Sequence, residues 1–134
     1  MAETRLHRGQ EISLEITELS AEGEGIAFVE GREVRVPLAV PGDRVLARLL
    51  RPGRNPIPAK LLAREAAAPG RTAPACPHFA QGCGGCAWQD LLYPEQLRLK
   101  ERLVRANLRD VPPESIRPIL GADSPWFYRN KMEF

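Results

Sequence analysis

The chain has 134 residues, a hydrophobic fraction of 43% and a formal net charge of +2. These values suit one small domain, or a small domain with an appendage, and the charge alone does not indicate a nucleic-acid binder. The sequence lacks the roughly 20-residue apolar run that spans a bilayer, and no apolar signal segment follows Arg5, His7 and Arg8. We therefore expect a cytoplasmic protein with reduced thiols and no membrane partner.

Alternating apolar and polar residues predict short strands through the first 65 residues. Five strands are predicted, at residues 10–19, 26–29, 33–37, 44–50 and 57–64. Stretches rich in glycine, proline and acidic residues separate these strands and are expected to turn. Five short antiparallel strands at this spacing indicate a mainly β fold, a small OB-like barrel of the kind that binds oligonucleotides.

Charge is distributed unevenly over the predicted barrel. Glutamates outnumber the single basic residue, Arg32, between positions 11 and 33, whereas every charged residue from 44 to 64 is basic. The predicted RNA-binding residues are Arg44, Arg48, Arg51, Arg54, Lys60 and Arg64. Each would contribute a salt-dependent contact with a phosphate, although a solvated strand face is the alternative. Because Phe28 is the only aromatic residue near them, we expect a grip on the backbone rather than base readout.

The second half of the chain differs in character from the barrel. Residues 66–75 are rich in alanine and proline and are predicted to form a linker. A helix is expected to begin near Pro94 and to end before Pro112. Its predicted apolar face contains Leu97, Val104 and Leu108 and is widened by Leu99, Leu103 and Ala106. Its arginines are a further candidate RNA contact. Residues 126–134 alternate like a strand.

Between the linker and the helix lie all the cysteines of the chain. They are Cys76, Cys83 and Cys86. The x2 spacing of the last two recurs in zinc and iron–sulfur sites, and Gly84 and Gly85 suit a loop that wraps a metal centre. Both kinds of site normally have four protein ligands. Three interpretations remain: zinc completed by His78, reduced thiols without metal, or a centre completed by a cysteine outside this chain.

Three features together resemble bacterial RNA uracil-C5-methyltransferases of the 23S ribosomal RNA type. They are the string from Cys76 to Gln89, the stretch from Tyr128 to Lys131, and the barrel motifs Gly-x-Gly-Ile-Ala, Val-x-Val-Pro and Pro-Gly-Asp. In that family an N-terminal TRAM domain precedes three cysteines that bind a [4Fe–4S] cluster with a distant fourth cysteine. The resemblance implies that Cys76, Cys83 and Cys86 are cluster ligands, with the fourth ligand outside this chain.

The resemblance also implies a domain organisation and a partner. A TRAM RNA-binding barrel is expected at 1–65, a linker at 66–75, an iron–sulfur cysteine loop at 76–93, and the helix and first strand of a truncated methyltransferase region at 94–134. The implied partner is RNA, ribosomal in type, with no DNA. S-adenosylmethionine would be a cofactor of the full-length enzyme only.

The chemistry of methyl transfer has no candidate residues in the chain. All three cysteines are assigned to the loop, and no glycine-rich turn lies between a strand and a helix. We therefore expect an RNA-binding N-terminal fragment of a methyltransferase that is inactive alone. The alternative is a stand-alone TRAM accessory protein with a zinc site.

Overall fold

A curled sheet of six strands dominates the computed structural model, which describes residues 5–131. The strands are β1 (Glu11–Glu15), β2 (Glu18–Leu19), β3 (Gly25–Val29), β4 (Arg32–Val36), β5 (Arg44–Leu49) and β6 (Ile57–Ala66). Their order in the sheet is β1-β5-β6-β4-β3-β2. All neighbours are antiparallel except β4 and β6, which are parallel. The predicted mainly β, barrel-like fold is confirmed.

The strand predicted at residues 10–19 is divided, which explains why the sheet has six strands rather than five. Its first half, β1, pairs with β5, and its second half, β2, pairs with β3. At the bend between them, the N–H of Ile16 donates to the carbonyl of Asp43 and that of Thr17 to the carbonyl of Ile26, each at 2.9 Å. Because this bent segment supplies both edge strands, the sheet curls toward a barrel.

The interior of the curled sheet is filled by alternate strand residues. The buried core comprises Leu14, Ile16, Ala27, Val34, Val36, Ala39, Val45, Ala47, Leu49, Ile57 and Ala59. Val34 and Val36 of β4 are fully buried, as their period-two spacing requires for one face of a strand. Burial of these side chains, at roughly 25 cal/mol per Å² of apolar surface, is the main stabilising contribution.

A second apolar cluster attaches the rest of the chain to the barrel. It contains Val40, Ala68, Leu91 and Leu99, with Leu19 and Trp88 packed against it. Ala68 belongs to the segment predicted as a linker, so that segment contacts the barrel at this residue.

Two helices follow the sheet. They are the single turn α1 (Pro77–Ala80) and the longer α2 (Tyr93–Asn107), and a 3-10 turn follows at Pro113–Ser115. Of the predicted apolar face, Leu99 is buried as expected, whereas the prediction is wrong for Val104 and Leu108, which are exposed. Only the N-terminal half of α2 reaches the second cluster, through Leu99.

The strand predicted at residues 126–134 is absent between Trp126 and Lys131, where the chain has only bends and irregular structure. No strand of residues 5–131 pairs with this stretch, so its backbone forms no ladder. The rest of that prediction, Met132 to Phe134, lies outside the described residues. In the part of the chain that is described, no helix is long and apolar enough to cross a membrane.

Candidate functional site

The outer face of β5 and β6 carries three of the predicted phosphate contacts, Arg44, Arg48 and Lys60. Arg48 and Lys60 are opposite one another in the strand register, and both are exposed. On its other side Arg48 is opposite Glu11 of β1, with its Nη2 at 2.6 Å from Glu11 Oε1. This face therefore mixes charges, because pairing with β1 brings a glutamate beside the arginine.

Arg44 has acidic neighbours on both sides. It is opposite Glu15 in the register of β1 and β5, and its Nε lies 4.0 Å from Oε2 of Glu65. Exposed ion pairs of this kind contribute only about 0–1 kcal/mol to stability. They nevertheless lower the positive potential that Arg44 and Arg48 present to an anionic ligand.

Arg51 and Arg54 lie in the loop between β5 and β6, and their side chains are exposed. Within residues 5–131, neither these side chains nor Lys60 has an ion-pair partner. The loop is held by Arg32, whose Nη2 donates to the carbonyls of Pro52 and, at 3.2 Å, Arg54. Of the six predicted cations, these three are available for phosphate.

Arg64 lies on the other face of β6. The register pairs Lys60 with Arg48, Leu61 with Ala47 and Ala63 with Leu46, so Leu62 is an extra, bulged residue. A bulge reverses the alternation of faces, and Arg64 is therefore opposite the buried Val45. Its predicted phosphate contact stays a prediction, but its guanidinium lies beside the carboxylates of Asp43 and Asp90.

Two backbone segments pair at the base of the cysteine loop, and we call residues 70–72 and 90–92 the neck. The N–H of Thr72 donates to the carbonyl of Asp90 at 2.9 Å, and the N–H of Leu92 to that of Gly70 at 2.8 Å. Gly70 has φ +83°, and a Cβ there would lie 2.2 Å from Cγ of Glu95. The close approach of α2 to the neck therefore requires glycine.

Side chains of the neck form an ion-pair network with the barrel. Its members are Asp43, Arg64, Arg71 and Asp90. Arg71 Nη1 lies 2.7 Å from Asp90 Oδ1, and Arg71 also contacts Asp43 through Nη2 and, at 3.3 Å, through Nε. Arg64 lies between the two carboxylates, with Nε 3.4 Å from Asp43 and Nη1 3.6 Å from Asp90. Sequence reasoning missed this network, whose only signal was the Pro41-Gly42-Asp43 turn.

Asp43 is the buried centre of this network. Its side chain is fully inaccessible, and it accepts the N–H groups of Val40 at 3.0 Å and Ala68 at 2.8 Å. Burial acts to raise the pKa of Asp43, but hydrogen bonds from Arg71, Ala68 and Val40 outweigh it and hold the pKa below its ordinary value. The carboxylate is therefore charged at neutral pH.

Gln89 connects the two ends of the cysteine loop. Its Oε1 accepts the N–H of Cys76 at 2.8 Å, and its Nε2 donates to Sγ of Cys86 at 3.4 Å. Sγ of Cys76 is 3.6 Å from Nδ1 of His78. Cys76 is half-buried, whereas Cys83 and Cys86 are exposed.

The donor set of the loop has the chemistry of a soft-metal site, since three free thiols lie within one short segment. Its geometry is only part of such a site. In residues 5–131, no three side chains of cysteine, histidine, aspartate or glutamate converge as metal ligands. Gln89 draws Cys76 and Cys86 together, while Cys83 lies in the exposed, glycine-rich stretch at 82–85. Ligation by the three predicted cysteines stays a prediction.

Trp88 packs on the barrel. Its Cζ2 lies 3.2 Å from the position that a Cβ on Gly23 would occupy, and Gly23 itself has φ +85°. The indole Nε1 is buried and has no hydrogen-bond partner in the described part of the chain. Trp88 therefore fixes the end of the cysteine loop against the acidic turn between β2 and β3.

The chain is similar to curated proteins named uncharacterized RNA methyltransferase. The relative from Porphyromonas gingivalis is 40% identical over 124 residues, which cover 90% of this chain and 26% of that protein. The relative from Bacteroides thetaiotaomicron is 42% identical, and the match covers 87% of this chain and 26% of that protein. The relative from Gloeobacter violaceus is 40% identical, and the match covers 96% of this chain and 29% of that protein. The chain thus spans between a quarter and a third of these relatives. No protein-family model matches it.

Proposed function

We propose that this chain is the RNA-binding portion of an S-adenosylmethionine-dependent RNA uracil-C5-methyltransferase that acts on ribosomal RNA in the cytoplasm. The observation that carries the proposal is 40–42% identity, over most of the chain, to proteins named RNA methyltransferases. The finer assignment to uracil C5 and to ribosomal RNA comes from the motif resemblance. No catalytic residue is assigned in this chain, so methyl transfer would depend on residues elsewhere in the parent enzyme.

In this proposal the curled sheet is a TRAM barrel that grips the RNA backbone. Lys60, Arg51 and Arg54 supply the positive charge, because they are exposed and have no carboxylate partner within residues 5–131. Arg44 and Arg48 contribute less, since Glu65 and Glu11 lie beside them. The affinity of such backbone contacts falls as the salt concentration rises and depends little on the RNA sequence.

RNA binding is tested by fluorescence anisotropy with a labelled single-stranded ribosomal RNA oligonucleotide at several salt concentrations. We expect the logarithm of the binding constant to fall linearly with the logarithm of salt concentration, by about 0.7 per phosphate contact. Arg51→Ala, Arg54→Ala and Lys60→Ala combined should flatten that slope by about 2. Arg117→Ala, which removes an exposed arginine that is not among the predicted RNA contacts, is the control. Absence of RNA binding, or an unchanged slope in the triple variant, would overturn the proposal.

We also propose that Cys76, Cys83 and Cys86 ligate a [4Fe–4S] cluster whose fourth ligand comes from outside this chain. The proposal is supported by the free thiols and by the Gln89 bridge between Cys76 and Cys86. When bound, the cluster would supply a rigid cross-link among these sulfurs. The residues of the chain would orient the loop through the neck and exclude water on the side that Trp88 packs against the barrel.

Anaerobic reconstitution with iron and sulfide tests the metal assignment. A brown product with broad visible absorbance is expected, labile because the fourth ligand is missing from this chain, and Cys83→Ser should lower its iron and sulfide contents. A colourless protein with one zinc, lost in His78→Ala, would instead support a zinc site, which the 3.6 Å contact between Cys76 and His78 makes a specific alternative.

A further inference from the structure

A cleft of about 660 Å³ lies between the cysteine loop, the start of α2 and residues 122–128. Both tryptophans and both tyrosines of the chain line it, together with one phenylalanine. These aromatic residues are Trp88, Tyr93, Trp126, Phe127 and Tyr128. Its volume is within the usual range of small-molecule sites, about 300–1,000 Å³. Apart from Trp88, which packs on the barrel, none of these rings has a role in the proposed function.

The far wall of the cleft is fixed on α2. The N–H of Ala122 donates to the hydroxyl of Tyr93 at 2.8 Å, and the N–H of Ile119 donates to Glu101 at 3.4 Å. Gly121 packs closely on α2, since a Cβ added to Gly121 would lie 2.9 Å from Cδ1 of Leu97. These contacts hold the segment that leads to the exposed rings of residues 126–128.

The electrostatics of the cleft favour an anionic occupant. No aspartate or glutamate is among its described lining residues, whereas Lys100 is, and Lys100 has no ion-pair partner within residues 5–131. Gln96 donates through Nε2 to the carbonyls of Trp88 and Leu91, both at 3.0 Å, and its Oε1 accepts no hydrogen bond from the described chain. An acceptor is therefore available to the amino or imino group of a ligand.

We infer that this cleft binds an unpaired nucleobase of single-stranded RNA, stacked on Trp126 or Tyr128, with a neighbouring phosphate at Lys100. Aromatic platforms beside a cation are how single-stranded nucleic acid is held without sequence readout. The barrel offers less for stacking, since Phe28 is its exposed aromatic residue and is paired with Glu33 across the strands. This inference rests on the proposed RNA-binding function and assigns base and backbone contacts to different parts of the chain.

The test compares two labelled RNAs of equal length, an oligouridylate and the same ribose-phosphate chain with its bases removed, by fluorescence anisotropy at one salt concentration. Samples are matched in metal content. The chain should bind the base-containing RNA about 5- to 150-fold more tightly. Trp126→Ala with Tyr128→Ala should remove most of that preference, whereas Phe28→Ala should retain it. All three side chains are at least 45% exposed, so circular dichroism should be unchanged.

The outcomes separate this inference from the proposed function. If neither RNA binds, the RNA-binding function itself fails. If both RNAs bind with equal affinity, or if the double variant keeps the preference, the barrel binds RNA but the cleft does not take a base. Lys100→Ala should weaken binding of both RNAs and reduce the salt slope by about 0.7; an unchanged slope would overturn the phosphate contact.

Discussion

The guanidinium of Arg71 donates from Nε to Oδ1 of Asp43 at 3.3 Å and thereby joins the neck of the cysteine loop to the barrel. Arg71 also reaches Asp90 on the opposite side of the neck, at 2.7 Å. The backbone carbonyl of Asp43 accepts the N–H of Ile16, at the bend between β1 and β2. One buried residue thus anchors both the curl of the sheet and the position of the loop.

Replacement of Asp43 by alanine should destabilise the chain by about 3–5 kcal/mol, the usual cost of removing one partner from a buried ion pair. The substitution leaves the N–H groups of Val40 and Ala68 without their side-chain acceptor, and it removes the carboxylate that faces Arg71. Urea unfolding followed by circular dichroism measures the change. Arg44→Ala, which affects only an exposed pair, should change stability by less than about 1 kcal/mol. A loss below about 1 kcal/mol for Asp43→Ala would contradict the structural role of the network.

Stability should fall in acid because the folded-state pKa of Asp43 lies below its ordinary value of about 3.9. A depressed carboxylate pKa contributes stability that is complete above the unfolded-state pKa and is lost as pH falls through the folded-state pKa. The free energy of unfolding should therefore decline from about pH 5 downward. Asp43→Asn should be less stable at pH 7 and should show a shallower acid dependence.

A matched control for the acid dependence is Glu95→Gln. The pKa of Glu95 is also lowered, through its hydrogen bonds with Arg98, but the pair is at the surface. This variant should follow the wild-type curve closely, because an exposed pair contributes little. Parallel curves for wild type and Asp43→Asn between pH 3 and pH 6 would show that Asp43 does not control the acid response.

Local patterns were sufficient to predict most of the sheet. Period-two alternation located the strands, and the turns followed from glycine, proline and acidic residues. The division of residues 10–19 could not be predicted, because both halves alternate equally well. Its cause is pairing with two different neighbours, since the first half pairs with β5, which is distant in sequence, and the second half with β3, which follows it directly. The helix position was also predictable, but its buried face depends on where the second cluster lies.

Charge and spacing predicted the candidate site less well, for two physical reasons. Lys60 and Arg64 are four residues apart and would share a face of a regular strand, but the bulge at Leu62 places them on opposite faces. Glu11 neutralises Arg48 although 37 positions separate them, because strand register decides which charges meet. The three cysteines form a recognisable sequence motif. The neck network that orients their loop could not be predicted, because it combines residues from four separate segments.

Gly23 and Gly31 provide a comparison that isolates the contact of Trp88 with the barrel. Both have positive φ, +85° and +74°, but a Cβ on Gly31 would meet nothing within 4 Å. Gly31→Ala should lower the free energy of unfolding by about 1 kcal/mol, the cost of placing alanine in the left-handed conformation. Gly23→Ala should cost more, because its Cβ would press on the indole at 3.2 Å.

Tryptophan fluorescence gives an independent readout of that contact. In a Trp126→Phe background the emission comes from Trp88 alone. Gly23→Ala should shift the emission maximum to longer wavelength, as displacement of the partly buried ring exposes it to water, and Gly31→Ala should not. Equal stability losses with no spectral difference would mean that Trp88 does not depend on the close approach to Gly23.

Removal of the glutamate beside Arg48 should strengthen RNA binding. Glu11 Oε1 lies 2.6 Å from the Arg48 guanidinium, so Glu11→Gln would release that cation for a phosphate and remove a carboxylate that repels one. We expect a several-fold gain in affinity at low salt, a salt slope steeper by up to about 0.7, and little change in stability. Glu114→Gln, in the 3-10 turn that follows α2 and outside the sheet, is the charge-matched control and should give a smaller gain. The gain should vanish at high salt because screening removes long-range attraction and repulsion alike. Equal affinities for Glu11→Gln and wild type at low salt would exclude this face of β5 from the RNA interface.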